Sequence, residues 1–200
     1  MRSVRPPQSG PYGESFELNP VIAEDRVEAF EQSHSIRLPF EYRDFLIRIG
    51  NGGAGPYYGV FSLGAVDDGF AVRDWKVNDN LVGDPSKPFR FEDAWNDTSK
   101  MPPDDLLEQS EEDYWRKMES FEKTYWNSEL MNGAIPICHQ GCALRIWLVV
   151  TGQHSGELWD DRRSECEGIR PLELADRSRA TFGAWYDEWL SQRLAAANYK

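Results

Sequence analysis

The chain predicts an α+β domain, and three observations carry that reading. Helical periodicity occupies the front, period-two alternation dominates the stretch after residue 133, and an aromatic helix closes the chain. The expected architecture is an antiparallel sheet of about four to six strands with helices packed against it, plus a helical acidic insertion.

Residues 1–18 are rich in Pro, Gly and Ser without periodicity, which predicts a flexible N-terminal arm before a single domain spanning 19–200. Asn19 suits an N-cap and Pro20 the first helical position, and Ala23, Val27 and Phe30 then share one face. Ser33-His34-Ser35 should break that helix before Ile36 and Leu38 anchor the next. Pro39 opens the second helix, where a missing N–H costs nothing. Tyr42, Phe45, Leu46 and Ile49 follow the spacing of one buried face. The run Gly50-Asn51-Gly52-Gly53 then stops the helix, because these residues take positive φ cheaply.

Short strands are expected at 57–63 and 70–72 around the turn Asp67-Asp68-Gly69, followed by loop over 77–105. A helix should resume after Pro102-Pro103, capped by one of the two aspartates that follow, with Tyr114, Met118, Phe121 and Tyr125 turned inward. Residues 134–137 read as a strand entering a glycine turn. The strongest strand is 143–150, with Leu144, Ile146, Leu148 and Val150 on one face and Arg145, Trp147 and Val149 on the other. A short connection over 151–155 leads to a strand at 157–159. The closing helix, 181–194, aligns Phe182, Trp185 and Trp189.

With 200 residues and 40% apolar content, the chain can bury a sizeable core. Its formal charge of −12 repels phosphates, which excludes direct nucleic-acid binding, and favours encounter with basic partners. No run approaches a membrane span or a signal-peptide core, and three cysteines fit a reducing compartment, so the expected location is cytoplasmic. Residues 91–122 hold eleven acidic against three basic residues, a net of −8 and two-thirds of the excess charge.

Motifs for chemistry are weak. Cys138-His139-x-x-Cys142, with Cys166 or His154, offers zinc-type ligands, but strand alternation sends Cys138 and His139 to opposite faces. The glycine run closes a helix and lacks the lysine of a phosphate loop. Acidic pairs such as Asp160-Asp161 lack the spacing of a calcium loop, and no nucleophile sits at a strand-to-helix elbow. No catalytic residue, cofactor or metal is therefore assigned. Aromatic rings among carboxylates suit a protein interface with a basic partner. The candidate partner-binding residues are Asp67, Asp68, Trp95, Asp97, Asp104, Asp105, Glu108, Glu111, Glu112, Asp113 and Trp115.

Several blocks together resemble the SUKH superfamily, which covers a fungal cell-wall-synthesis regulator and many bacterial immunity proteins that neutralise polymorphic toxins. They are the short helix at 22–31, Leu38-Pro39, the aromatic helix at 42–49, the turn Gly50–Gly53 and Val60-Phe61-Ser62-Leu63. Ala134-Ile135-Pro136-Ile137, the following strand pair and the closing Phe/Trp helix complete the series. The resemblance covers 20–63 and 133–195 and leaves an insertion at about 64–132. Where members often carry Gly-Asp after the Ile-Pro strand, this chain reads Gly141-Cys142-Ala143. The resemblance implies a non-enzymatic protein-binding module. That is an immunity protein occluding a cognate, possibly nuclease, toxin with a basic domain, or alternatively an intracellular regulatory or scaffold protein.

Overall fold

The computed structural model describes residues 17–67, 72–74 and 81–198. Most of the 1–18 arm, Asp68, and the 70–71 part of an expected strand lie outside the described residues.

The first helix, α1 (Glu24–His34), begins later than Asn19-Pro20 suggests. Asn19 is used elsewhere: its side-chain amide donates to the Asn51 carbonyl and the Ser62 hydroxyl, and its backbone N–H bonds Gly52. These bonds pin the incoming chain to the glycine turn, and Ala23, not Asn19, stands at the N-cap position. The helix also runs through the Ser33-His34 pair, because Ser33 Oγ and His34 Nδ1 both turn back onto the Phe30 carbonyl. It ends where Ser35 takes φ 54°.

Helix α2 (Phe40–Arg48) buries Tyr42, Phe45 and Leu46 as its periodicity requires, whereas Ile49 is half exposed beyond its last turn. Gly52 and Gly53 then take φ 81° and 98°, and an added Cβ at Gly53 would lie 2.4 Å from the Glu17 carbonyl oxygen. Residues 57–63 do not form the expected strand. Tyr57 (φ 54°) and Gly59 (φ 92°) break the extended path, leaving Val60 in isolated bridges to Gly53 and Cys138. The small hairpin forms later, as β1 (Ala65–Asp67) and β2 (Val72–Asp74).

Two helices replace the single one expected after Pro103. They are α3 (Asp105–Gln109) and α4 (Glu111–Tyr125), separated by Ser110 at φ −158°, whose hydroxyl accepts from the Asp113 N–H. Asp104 occupies the N-cap position of α3 but makes no side-chain cap bond.

The main sheet is antiparallel, in the order β3 (Ala134–Gly141), β4 (Leu144–Val149), β5 (Leu158–Asp161), β6 (Ile169–Pro171). Pro136 is tolerated because β3 is an edge strand with a bulge between Pro136 and Cys138. The β3–β4 turn places Cys142 and Ala143 at φ 50° and 63°, the positive values a two-residue hairpin of type I′ needs. Strand β6 has no sequence signal, being three residues long and ending in proline.

Helix α5 (Phe182–Asn198) closes the fold. Glu41 of α2 accepts from the Gly183 N–H in its first turn, and Thr181 accepts from Ala184.

The sheet is buried on both faces. Ile135, Ile137, Ile146, Leu148 and Leu158 pack with α1, α2 and α5 in one core. Trp147, Val149, Trp159 and Ile169 face a second core completed by Phe89, Phe91, Leu130 and Met131. Residues 81–131 therefore contribute a covering layer to the sheet rather than a separate appendage. Tyr114, Phe121 and Tyr125 are buried on the inner side of α4.

Both sheet edges are partly closed. Phe61 N–H donates to Ile137 at the β3 edge, and Trp95 and Ile169 exchange two 2.8 Å bonds at the β6 edge.

Candidate functional site

Two surfaces stand out, one expected from sequence and one not. The first is the outer face of α3 and α4. Asp104, Asp105, Glu108, Glu111 and Glu112 are exposed, and Asp113 is half-buried. Several of these carboxylates have local roles. Glu111, Glu112 and Asp113 occupy the first turn of α4, where negative charge opposes the helix dipole. Asp105 accepts from Gln109 (3.2 Å), and Asp113 pairs with Arg116 at 2.5 Å.

Trp115 stands among them, 55% exposed. Its indole N–H donates to Glu111 (3.4 Å) and its ring meets Tyr114 edge-on. Leu107 and Met101 are further exposed apolar side chains near it in sequence.

The remaining sequence candidates separate from this surface. Trp95 turns inward, stacking on Tyr125 with ring centroids 5.5 Å apart and packing on Phe91. Asp97 is exposed and accepts from both the N–H and the hydroxyl of Ser99, which hold its carboxyl below the usual range. Asp67 lies in the backbone of β1, and Asp68 falls outside the described residues.

The zinc-type residues are spread apart. The Cys138 thiol is buried and donates to the Pro56 carbonyl, and burial pushes its pKa up, away from the thiolate a metal needs. Cys142 and Cys166 are exposed. Among the described residues, no three His, Cys, Asp or Glu side chains are grouped to hold an ion.

The second surface is a pair of adjoining cavities that share Tyr57, Leu172 and Glu173 as walls. The larger, about 500 Å³, has Asp160 at its base with Gln140, Arg162 and Arg170 around it. Asp160 is only 5% exposed and accepts from Gln140 at 2.7 Å. Arg170 and Arg162 approach it at 3.5 and 3.8 Å, too far for hydrogen bonds. Burial therefore prevails and raises its pKa, while Gln140 and the arginines oppose the shift. Arg162 is held by Glu165 and Glu167.

The smaller cavity, about 330 Å³, is bounded by Pro56, Tyr57, Trp185 and Trp189, with Glu173 and Glu188 on its walls. The Trp189 indole nitrogen is buried without an acceptor among the described residues.

Alternation along β5 could have placed Asp160 and Asp161 on opposite faces, but Arg170 was invisible without β6. The groove needs five separate chain segments, and no local pattern joins them.

The order of elements decides the relationship: two short helices joined by a Leu-Pro step, the glycine turn, an antiparallel meander and the aromatic helix. The SMI1/KNR4 family description (SUKH-1) matches residues 22–169. The chain belongs to this family. The matched range of the SUKH-1 domain includes the second-core layer and stops before α5. Comparison with curated proteins and with solved structures gives no match. SUKH-1 domains bind partner proteins. No helix among the described residues is long and apolar enough to cross a membrane.

Proposed function

We propose that this SUKH-1 domain is a non-enzymatic immunity protein that occludes a basic toxin domain through the outer face of α3 and α4. The observation that carries the reading is the two-sidedness of α4. Its inner stripe is locked into the protein, while its outer face presents carboxylates around the half-exposed Trp115. A buried inner stripe holds the carboxylates in fixed positions, so little ordering entropy is lost on contact. Against a nuclease, that surface would stand in for the phosphate backbone and occupy the cations that bind it. Rim carboxylates would then govern the association rate, and Trp115 with Leu107 the lifetime of the complex.

The test is co-expression with the product of the adjacent reading frame, followed by co-purification and growth rescue. With a complex in hand, Asp104→Asn, Asp105→Asn, Glu108→Gln and Glu112→Gln combined should slow association about tenfold at low salt and flatten its salt dependence. An unchanged association rate at low salt would remove α3 and α4 from the interface. Trp115→Ala should act on dissociation instead.

A further inference from the structure

The cavity of about 500 Å³ at Asp160 falls in the size range of small-molecule sites, and none of its walls comes from α3 or α4. Its charges balance. Asp160 and Glu173 share the wall with Arg162 and Arg170, so net charge favours neither a bare anion nor a bare cation. What the wall lacks is hydrogen bonds. Asp160 is buried, yet only its Oδ1 accepts at close range, from Gln140 at 2.7 Å. Its Oδ2 has Arg170 and Arg162 at 3.5 and 3.8 Å. Arg162 is committed to Glu165 and Glu167. Arg170 is not: its carboxylate partners among the described residues are Asp160 and, at 3.6 Å, Glu167. Its guanidinium donors therefore stand beside a carboxylate oxygen that still needs a donor, at a distance where neither satisfies the other.

The register explains this arrangement. Asp160 and Arg170 are direct partners on β5 and β6, so opposite charges stand side by side on one wall. Their complement is a ligand that also carries opposite charges side by side, and an α-amino acid holds both on one carbon. Its ammonium gives Asp160 Oδ2 the missing donor, and its carboxylate takes two N–H groups of Arg170. Pro171, Leu172 and the Tyr57 ring offer apolar surface to a side chain. Tyr57 holds φ 54°, a left-handed conformation that costs energy in a ring-bearing residue and is of the kind that clusters at ligand sites.

We propose that this cavity binds a free α-amino acid with an apolar side chain, its ammonium on Asp160 and its carboxylate on Arg170. The site goes beyond the toxin-facing role of α3 and α4 and stands or falls independently of it, since the two share no residue.

The test titrates L-leucine into the ¹⁵N-labelled full chain at neutral pH. NMR follows the Arg170 Nε–H, the Gln140 side-chain amide and the Trp115 indole. Saturable shifts should appear at Arg170 and Gln140 while Trp115 stays fixed. Isocaproate, which lacks the ammonium, and isoamylamine, which lacks the carboxylate, should each bind at least about tenfold more weakly than leucine, the worth of a charge-assisted contact. Arg170→Gln should erase most of the preference over isoamylamine, and Asp160→Asn most of the preference over isocaproate.

Absence of a saturable shift up to about 10 mM leucine would overturn the proposal. Equal binding of isocaproate would make the wall an anion site, and equal binding of isoamylamine a seat for a partner's basic side chain; either result defeats the amino-acid assignment. These arms need only the parent chain, so a variant that fails to fold leaves them standing. Shifts at Trp115 in place of Arg170, or a leucine preference that survives both substitutions, would put the ligand elsewhere and overturn the assignment as well.

Discussion

Asp160 and Asp161 are sequence neighbours with opposite surroundings. Asp161 faces the second core and forms a paired, nearly fully buried contact with Arg163, whose Nε and Nη2 both donate to it. Asp160 faces the groove, where burial outweighs its partners and its pKa rises. A raised carboxyl binds its proton more tightly in the folded state than in the unfolded chain. Its stabilising contribution is therefore full below the ordinary value of 3.8 and is lost as pH rises through the raised one. Asp160→Asn removes that dependence. The melting temperature of Asp160→Asn relative to the parent should thus climb between about pH 3 and about pH 7, and a constant difference would contradict the burial argument. Asp84, Asp97 and Asp176 behave in the opposite sense. Each accepts from the hydroxyl and N–H of a serine two residues on, which lowers its pKa. Their contribution is present above the usual carboxylate range and fades as pH falls. The Asp-x-Ser spacing is visible in the sequence; the burial of Asp160 is not.

Among elements, those with one dominant local signal match their sequence reading. The inner stripe of α4 and the alternation of β4 are set by burial of every third or fourth, or every second, side chain, and the period alone reveals them. Boundaries moved where a polar side chain found another partner, a distant one for Asn19 at the glycine turn and a local one for Ser110, which caps α4. Strand β6 escaped because its register is imposed from outside. Ile169 is clamped by Trp95, and Gly168 lets the two backbones meet. Gly168 has φ 75°, and an added Cβ would lie 2.0 Å from the Trp95 carbonyl oxygen. Gly168→Ala should cost at least about 2 kcal/mol, combining left-handed strain with displacement of the Trp95 crossing. Urea unfolding checks it, and a loss under about 0.5 kcal/mol would mean that crossing yields freely.

The whole molecule is a sheet covered on two sides, and the two coverings are attached differently. Helices α1, α2 and α5 hold one face through aromatic contacts such as Phe45 with Phe182 and Tyr186. The other layer is bolted by Arg163. Besides its pair with Asp161, it donates to the Tyr125 carbonyl at the end of α4 and lies 5.0 Å over the Trp126 ring. Arg163→Met leaves a buried carboxylate unpaired and should cost about 3–5 kcal/mol, whereas adding Asp161→Asn should recover part of it. Chemical denaturation of the two variants measures both, and a single-variant loss under about 1 kcal/mol would show that apolar packing alone retains α4.

By itself, the sequence determined the α+β class, the inward stripes of α2, α4 and α5, the alternation of the central strand, the family and the concentration of negative charge. Each depends on residues a few positions apart, where chain geometry dictates which side chains share a face. Only the tertiary structure decided that residues 81–131 close the second face of the sheet, that Trp95 packs against the second core, and that Asp160 lines a groove. Those outcomes depend on contacts between segments tens of residues apart, such as Trp95 with Ile169 and Arg163 with Tyr125, and no local period encodes them.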